Sequence, residues 1–322
     1  MMPDSKNLTA VTLGDVMLDY LIDIGPQREP DSQLVNRCYF SPIRTQVAGL
    51  GCMFARYAKN NGFDRSVLIG AIGQDSQDQS IADFNGRIAI ESLEQESIEL
   101  ELARVPAETG QVAMVFPEER HRFIVANSGA NAEFNCDVFD QIDLSHLDGC
   151  DVLFVSGYFL VEDKQRQAAV EIITRARQAG ALVVVDVVPH EIWQSVPSTE
   201  YLDRISLCNS IMITNYTMFD HLGWDRQNAG WDAPKQLVTA QTLDPLLEQM
   251  ELIVVVLNSK SDYLVVTRQG SLTLFVEHVP YKVSQTRDSM NVHAMILSEY
   301  LRHDRKLDHL ANKFNVPIAA RR

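Results

Sequence analysis

Apolar residues in this chain gather into short continuous runs separated by stretches of helical period. Residues 11–13 form one such run and lead into Gly14-Asp15; residues 66–72 form another and end at Gly73. The pattern returns at 152–156, 182–186, 210–214 and 252–257. Runs this short, apolar at consecutive positions, are strands buried on both faces. Residues 52–59 and 164–178 carry helical periodicity, the first closed by Asn60-Asn61-Gly62 and the second by Gly180. Segments 263–268 and 272–276 read as a hairpin, and helices around 292–303 and 307–315 follow. Strands alternating with helices predict a mostly parallel α/β sheet flanked by helices on both faces.

Three extended segments break that alternation: 18–24, 38–47 and 111–125. They fit a small separate sheet. Between the first two lies a loop, 25–32, marked by Pro26 and Pro30. No internal repeat or low-complexity linker interrupts the chain. The expectation is one domain over 1–322, with lid segments inserted within about 18–47 and 111–125.

Charge narrows the function classes. The 322 residues carry a formal net charge of -15. Such a surface repels phosphate backbones and anionic lipid, which argues against nucleic-acid or membrane partners. The acidic excess between Glu91 and Glu101 reads as a solvated face. Five cysteines with no CxxC spacing fit reduced thiols in a cytoplasmic protein. The eight histidines show no metal-binding spacing, so no metal site is expected.

Six short pieces carry a family resemblance. Gly14-Asp15-Val16-Met17-Leu18-Asp19 resembles the GDxxxD start of the pfkB, or ribokinase-like, carbohydrate kinases. The stretch from Gly49 to Gly62 resembles the family's GGxxxN segment, and Ile69 to Asp75 its iGxvGxD. Ser156-Gly157-Tyr158, Val185-Asp186 followed by Trp193, and Ile213-Thr214-Asn215 fall in family order. Gly129-Ala130-Asn131 resembles a family turn near the substrate, though it is short. The resemblance spans nearly the whole chain. It implies a ribokinase-like fold with a β-sheet lid over a sugar site, and a homodimer through that lid.

On the sugar side, the resemblance makes Asp19 the acceptor of substrate hydroxyls, with Gly49, Met53 and Asp186 beside it. Asp19 suits that role, because a carboxylate accepts hydroxyl hydrogen bonds well. Met53 stands where the family has a hydroxyl-binding Asn, and a thioether cannot replace the amide. One glycine of the pair is Ala48.

The nucleotide side departs at four places. Asn215 is kept from the family's NxxE, but Met218 replaces the Glu that organises Mg²⁺, which wants oxygen ligands. Ser259 and Asp262 fill both glycine positions of the nucleotide turn, and Asp262 adds negative charge. In the anion-hole motif, the last helix sets a register with Asp288, Ser289 and Met290 in the turn and Asn291 at the catalytic Asp position. A second register, starting the motif at Asp288, puts Ala294 there. Both lose the base.

These departures point to a degenerate pfkB-family protein, weak or inactive as a kinase, with a sensing or partner-binding role. A small-molecule sugar or sugar phosphate and a protein partner are the expected ligands, with no cofactor. The alternative is a working ATP-dependent sugar, sugar-phosphate or nucleoside kinase with a rearranged site. It would need ATP and Mg²⁺, with Asp288 as substitute base.

Overall fold

The computed structural model describes residues 6–24, 40–118, 121–187, 196–213, 243–256, 262–276 and 289–319. Its strands are β1 (Thr9–Leu13), β2 (Met17–Asp23), β3 (Ile43–Ala48), β4 (Arg65–Gly73), β5 (Glu99–Val105), β6 (Gly110–Glu118), β7 (His121–Asn127), β8 (Val152–Ser156), β9 (Leu182–Val187), β10 (Ser210–Ile213), β11 (Leu252–Val256), β12 (Asp262–Thr267) and β13 (Gly270–Phe275). The helices are α1 (Leu50–Asn60), α2 (Phe84–Gln95), α3 (Asp163–Gln178), α4 (Ser198–Ile205), α5 (Asp244–Leu247), α6 (Ser289–Arg302) and α7 (Leu307–Phe314).

Nine strands make one sheet in the order β13-β12-β11-β10-β9-β8-β1-β4-β5. The strands from β11 to β5 in that order pair in parallel, and β12 and β13 add an antiparallel edge. Alternate side chains enter different layers. Val11, Leu13, Leu153, Val155, Val183, Val185, Ile253 and Val255 join one core with α3 and α4. Ala10, Val152, Phe154, Leu182, Val184, Leu252 and Val254 join another with α1, α6 and α7. Burial on both faces is why these strands read as continuous apolar runs.

Four strands make a second, smaller sheet in the order β3-β2-β6-β7. Its central pair, β2 and β6, is parallel; the outer pairs are antiparallel. The three extended segments that broke the alternation supply all four strands. One face, through Leu18 and Val47, shares a core with Ala89 and Leu93 of α2. The other carries Leu21, Met114 and Phe116.

Both edges of the large sheet are covered. Beyond β13, Ser271 and Ala319 exchange backbone hydrogen bonds of 3.0 and 2.8 Å. Beside β5, the Arg104 amide donates to Gln141 Oε1 at 3.0 Å and the Asp143 amide donates to Glu101 Oε2 at 2.8 Å.

One expectation is corrected. The sequence placed Ser289 and Met290 in a turn ahead of a helix beginning at Asn291, but α6 already includes both. Met290, Ala294, Leu297 and Leu301 form one buried stripe at helical spacing. The helix starts where that stripe starts.

Candidate functional site

The chain leaves β1 on one side for β4 and β5, and later builds β8 to β11 on the other. The β1–β8 boundary is thus the topological switch point, where open α/β sheets form a crevice beyond their strand C-termini. Gly14 and Asp15 follow β1 there, and Ser156 ends β8 beside Asp186 of β9 in register.

Close backbone approach sets this region. A Cβ on Gly14 would lie 2.6 Å from Gly51 Cα, so the end of β1 meets the first turn of α1 backbone to backbone. Gly49, at φ +95, precedes that turn, and a Cβ there would strike the Asp15 carbonyl oxygen. Glycine is demanded twice over, by left-handed backbone and by space.

Asp15 is 8% exposed. Its Oδ2 accepts from Ser156 Oγ at 3.2 Å, and the Leu50 amide at the start of α1 lies close enough to favour its ionised form. Burial outweighs these hydrogen bonds and pushes its pKa up to about 6. Tyr158 sits where burial, then the charges of Asp15 and Asp186, hold its hydroxyl protonated above the usual range. Cys52 feels Asp15 and Asp19 together, and burial first of all pushes its thiol up to about 12. Asp15, Asp19, Tyr158 and Asp186 therefore surround one region.

Asp19 lies on β2 opposite Gln46 of β3, whose Nε2 donates to Oδ2 at 3.4 Å. It shares the Leu21 face of the small sheet, away from α2, and is almost fully buried. Met53 is half-buried on α1, its amide donating to the Gly49 carbonyl at 3.0 Å. Asp15 shares Cys52 with Asp19 and Tyr158 with Asp186, which puts these carboxylates around the end of β1, with Gly49 and Met53 at the start of α1 beside it.

The expected nucleotide side has a different character. Asp262 begins β12, buried and paired in register with Phe275. Its neighbour Tyr263 meets His293 of α6 edge-on, ring centroids 5.9 Å apart. Ser289 is half-buried at the start of α6. Asn291 accepts from Asn61 Nδ2 at 2.6 Å. Asn61 is the C-cap of α1, and the same Nδ2 donates to the Tyr57 carbonyl. An 11-residue helix is about 16 Å long. Asn291 is therefore held at the far end of α1 from Gly49 and is not brought to the carboxylate set. Asp288, Asn215 and Ser259 lie outside the described residues, as does Met218.

Asp15, Ser156, Tyr158 and Asn131 belong to this region without having been assigned roles from the sequence. Their signal was there: Gly-Asp, Ser-Gly-Tyr and Gly-Ala-Asn each follow or end an apolar run. Among the described residues no group of three or more His, Cys, Asp or Glu could hold a metal ion. No described helix is long and apolar enough to cross a membrane.

No protein-family model and no curated protein matches the chain. Solved structures do. A probable sugar kinase from Rhizobium etli is similar at TM-score 0.72 and 13% identity, covering 96% of this chain and 90% of that one. Adenosine kinase from Sinorhizobium meliloti is similar at 0.70 and 13%, covering 94% and 90%. Ribokinase from Giardia lamblia is similar at 0.69 and 14%, covering 95% and 89%. The fold is ribokinase-like.

Proposed function

We propose that this chain keeps the ligand-recognition half of a ribokinase-like site and has lost phosphotransfer, so that it acts as a sugar- or sugar-phosphate-sensing or partner-binding protein. The observation that carries this reading is the content of α6. Its one carboxylate is Glu299, near the C-terminal end and ion-paired with Lys313 at 2.5 Å. The two registers for the catalytic position give Asn291, held by Asn61, or Ala294, fully buried. Neither side chain takes a proton from a sugar hydroxyl at neutral pH.

Magnitudes support the same side. Loss of a general base costs roughly 10²–10⁴ in rate. Loss of an anion-hole donor costs on the order of 10²–10³. Such losses do not add simply, but they fall at separate places along this chain.

The test is ATP consumption with a panel of ribose, fructose, other sugars, their phosphates and adenosine. The expected result is no turnover above background, with sugars or sugar phosphates raising the melting midpoint in the absence of Mg-ATP. Turnover of about 1 s⁻¹ or more, the low end of ordinary enzymes, overturns the reading. If that turnover vanishes in Asp288→Asn, Asp288 is a relocated base and the chain is a working kinase.

We also propose a homodimer through the small sheet. Its edge strands β3 and β7 expose Ile43, Phe123, Ile124 and Val125, and open strand edges invite pairing. A monomeric mass at micromolar concentration rules it out.

A further inference from the structure

The chain crosses between the two sheets at four places: into β2, out of β3, into β6 and out of β7. Asn131 lies in the 3-10 turn Gly129–Glu133 that follows β7, and it is 2% exposed. Its Oδ1 accepts from the Val16 amide at 2.9 Å. Its Nδ2 lies 3.0 Å from the Val16 carbonyl, 3.0 Å from the Ser128 carbonyl and 3.1 Å from Met17 Sδ. An amide nitrogen has two hydrogens, so the two carbonyls take them and the thioether is a packing contact. The side chain thus pairs both backbone groups of Val16, as a neighbouring strand would.

The other crossings meet the same spot. At the start of β6, a Cβ on Gly110 would lie 2.5 Å from Asn131 Nδ2 and 3.0 Å from the Val16 carbonyl oxygen. The Ala130 amide donates to the Glu108 carbonyl at 2.7 Å. Leaving β3, Gly49 rests on the carbonyl of Asp15, one residue before Val16. Asn131 is itself fastened to the large domain core: Gln165 Nε2 of α3 donates to its carbonyl at 2.5 Å, and Ala130 and Phe134 are buried in the α3-side core. A separate knot holds Thr109, whose amide and hydroxyl donate to the Asp83 carboxylate at 2.8 and 2.6 Å.

We propose that Asn131 is a positioning residue that rivets the small sheet to the large one, so that the two move as one body and Asp19 is held at a fixed place over the switch-point crevice. The buried amide satisfies Val16 and the Ser128 carbonyl at once while Gln165 holds the backbone of Asn131, and leaving any of these groups unpaired in that dry site costs stability locally. The inference concerns how the small sheet is held and does not depend on whether the chain transfers phosphate.

The experiment is residue-resolved hydrogen exchange on the full chain, comparing wild type with Asn131→Asp and Gln165→Leu. Asn131→Asp keeps the acceptor for Val16 and removes both donors. Gln165→Leu leaves the side chain of Asn131 untouched and releases its backbone from α3. Asn135→Ala, which removes only the local turn hydrogen bonds to the Asp137 amide and the Glu133 carbonyl, is the control. In both test variants, amides of β2, β3, β6 and β7 are expected to exchange at least tenfold faster as a block, more in Asn131→Asp, while β8 to β11 and the control keep wild-type rates. Faster exchange confined to Val16 and the 3-10 turn overturns the proposal, as does an equal rise in both sheets, which would make Asn131 an ordinary contributor to global stability.

Discussion

The switch-point crevice and the region under α6 both bury polar side chains, and they treat them in opposite ways. Around the end of β1, Asp15 accepts from Ser156 and the Asn131 amide bonds the backbone of Val16 and Ser128, although Thr12 on β1 leaves its hydroxyl unpartnered. Under α6, His293 is fully buried and neither ring nitrogen has a hydrogen-bond partner among the described residues. Burial pushes its pKa down to about 3. A hydrogen-bonded network specifies geometry; an unpartnered ring in an apolar layer fills volume and costs free energy. The first region has the build of a recognition site, and the second that of core.

His293 gives the largest expected effect. Its folded pKa lies below its unfolded value, so its stability contribution is whole above about pH 6.5 and lost as pH falls through about 3. Near pH 3 this amounts to on the order of 5 kcal/mol. His293→Leu should flatten the acid limb of a urea-denaturation series across pH. An unchanged acid limb would mean that water or a partner reaches the ring, and the contrast between the regions would fail.

Asp15 should act with the opposite sign. Its folded pKa is raised from 3.8 to about 6, so stability is whole below pH 3.8 and declines as pH rises through 6. Asp15→Asn keeps the shape and removes the charge. It is expected to gain up to about 3 kcal/mol at pH 8 and nothing at pH 3. Stability lost at pH 8 would show that the ionised carboxylate is the form the crevice needs. Between pH 4 and 6 the two groups oppose each other, so each single variant should reveal a slope that the wild type hides.

Smaller effects test the far ends of α1. Asn61→Ala removes the only hydrogen bond found between α1 and Asn291 among the described residues and should cost about 1 kcal/mol. It should leave sugar-dependent melting shifts unchanged, because Asn61 is about a helix length from Gly49. Last comes Arg65→Gln, which breaks an exposed pair with Glu99 at 2.5 Å. Its loss should stay under about 1 kcal/mol and shrink in salt.

Legibility in the sequence followed burial. Strands β8 to β11 are buried on both faces, and their residues announced themselves within one or two positions. The segment 84–105 did not. In β5, Glu99, Glu101 and Arg104 alternate with Leu100, Leu102 and Ala103 on a sheet edge, and the acid made the stretch read as solvated surface. That reading held for Glu91 and Glu94 on α2, which are exposed. Asp19, Gly49 and Asp186 were legible as motif positions because each stands at or near a strand end. Asn131 was legible as a residue type, but its work depends on Val16, 115 positions away, and no local pattern encodes such a contact. The position of Asn291 against Asn61 was hidden for the same reason.

The short pairing between Ser271 and Ala319 has a consequence for solubility. A nine-stranded sheet whose outermost strand shows free amides and carbonyls is a template for other chains. Here Ala319, after α7, folds back and pairs with Ser271 near the start of that strand, with Gly270 leaving room where a Cβ would press on Ile318 and the Ala319 carbonyl. Ile318 and Ala319 therefore act as a guard against fibre-like stacking, a role unrelated to any ligand. A chain ending at Asn315 should keep its circular dichroism yet scatter light within hours at concentrations where the full chain stays clear; equal clarity would show that the pairing guards nothing.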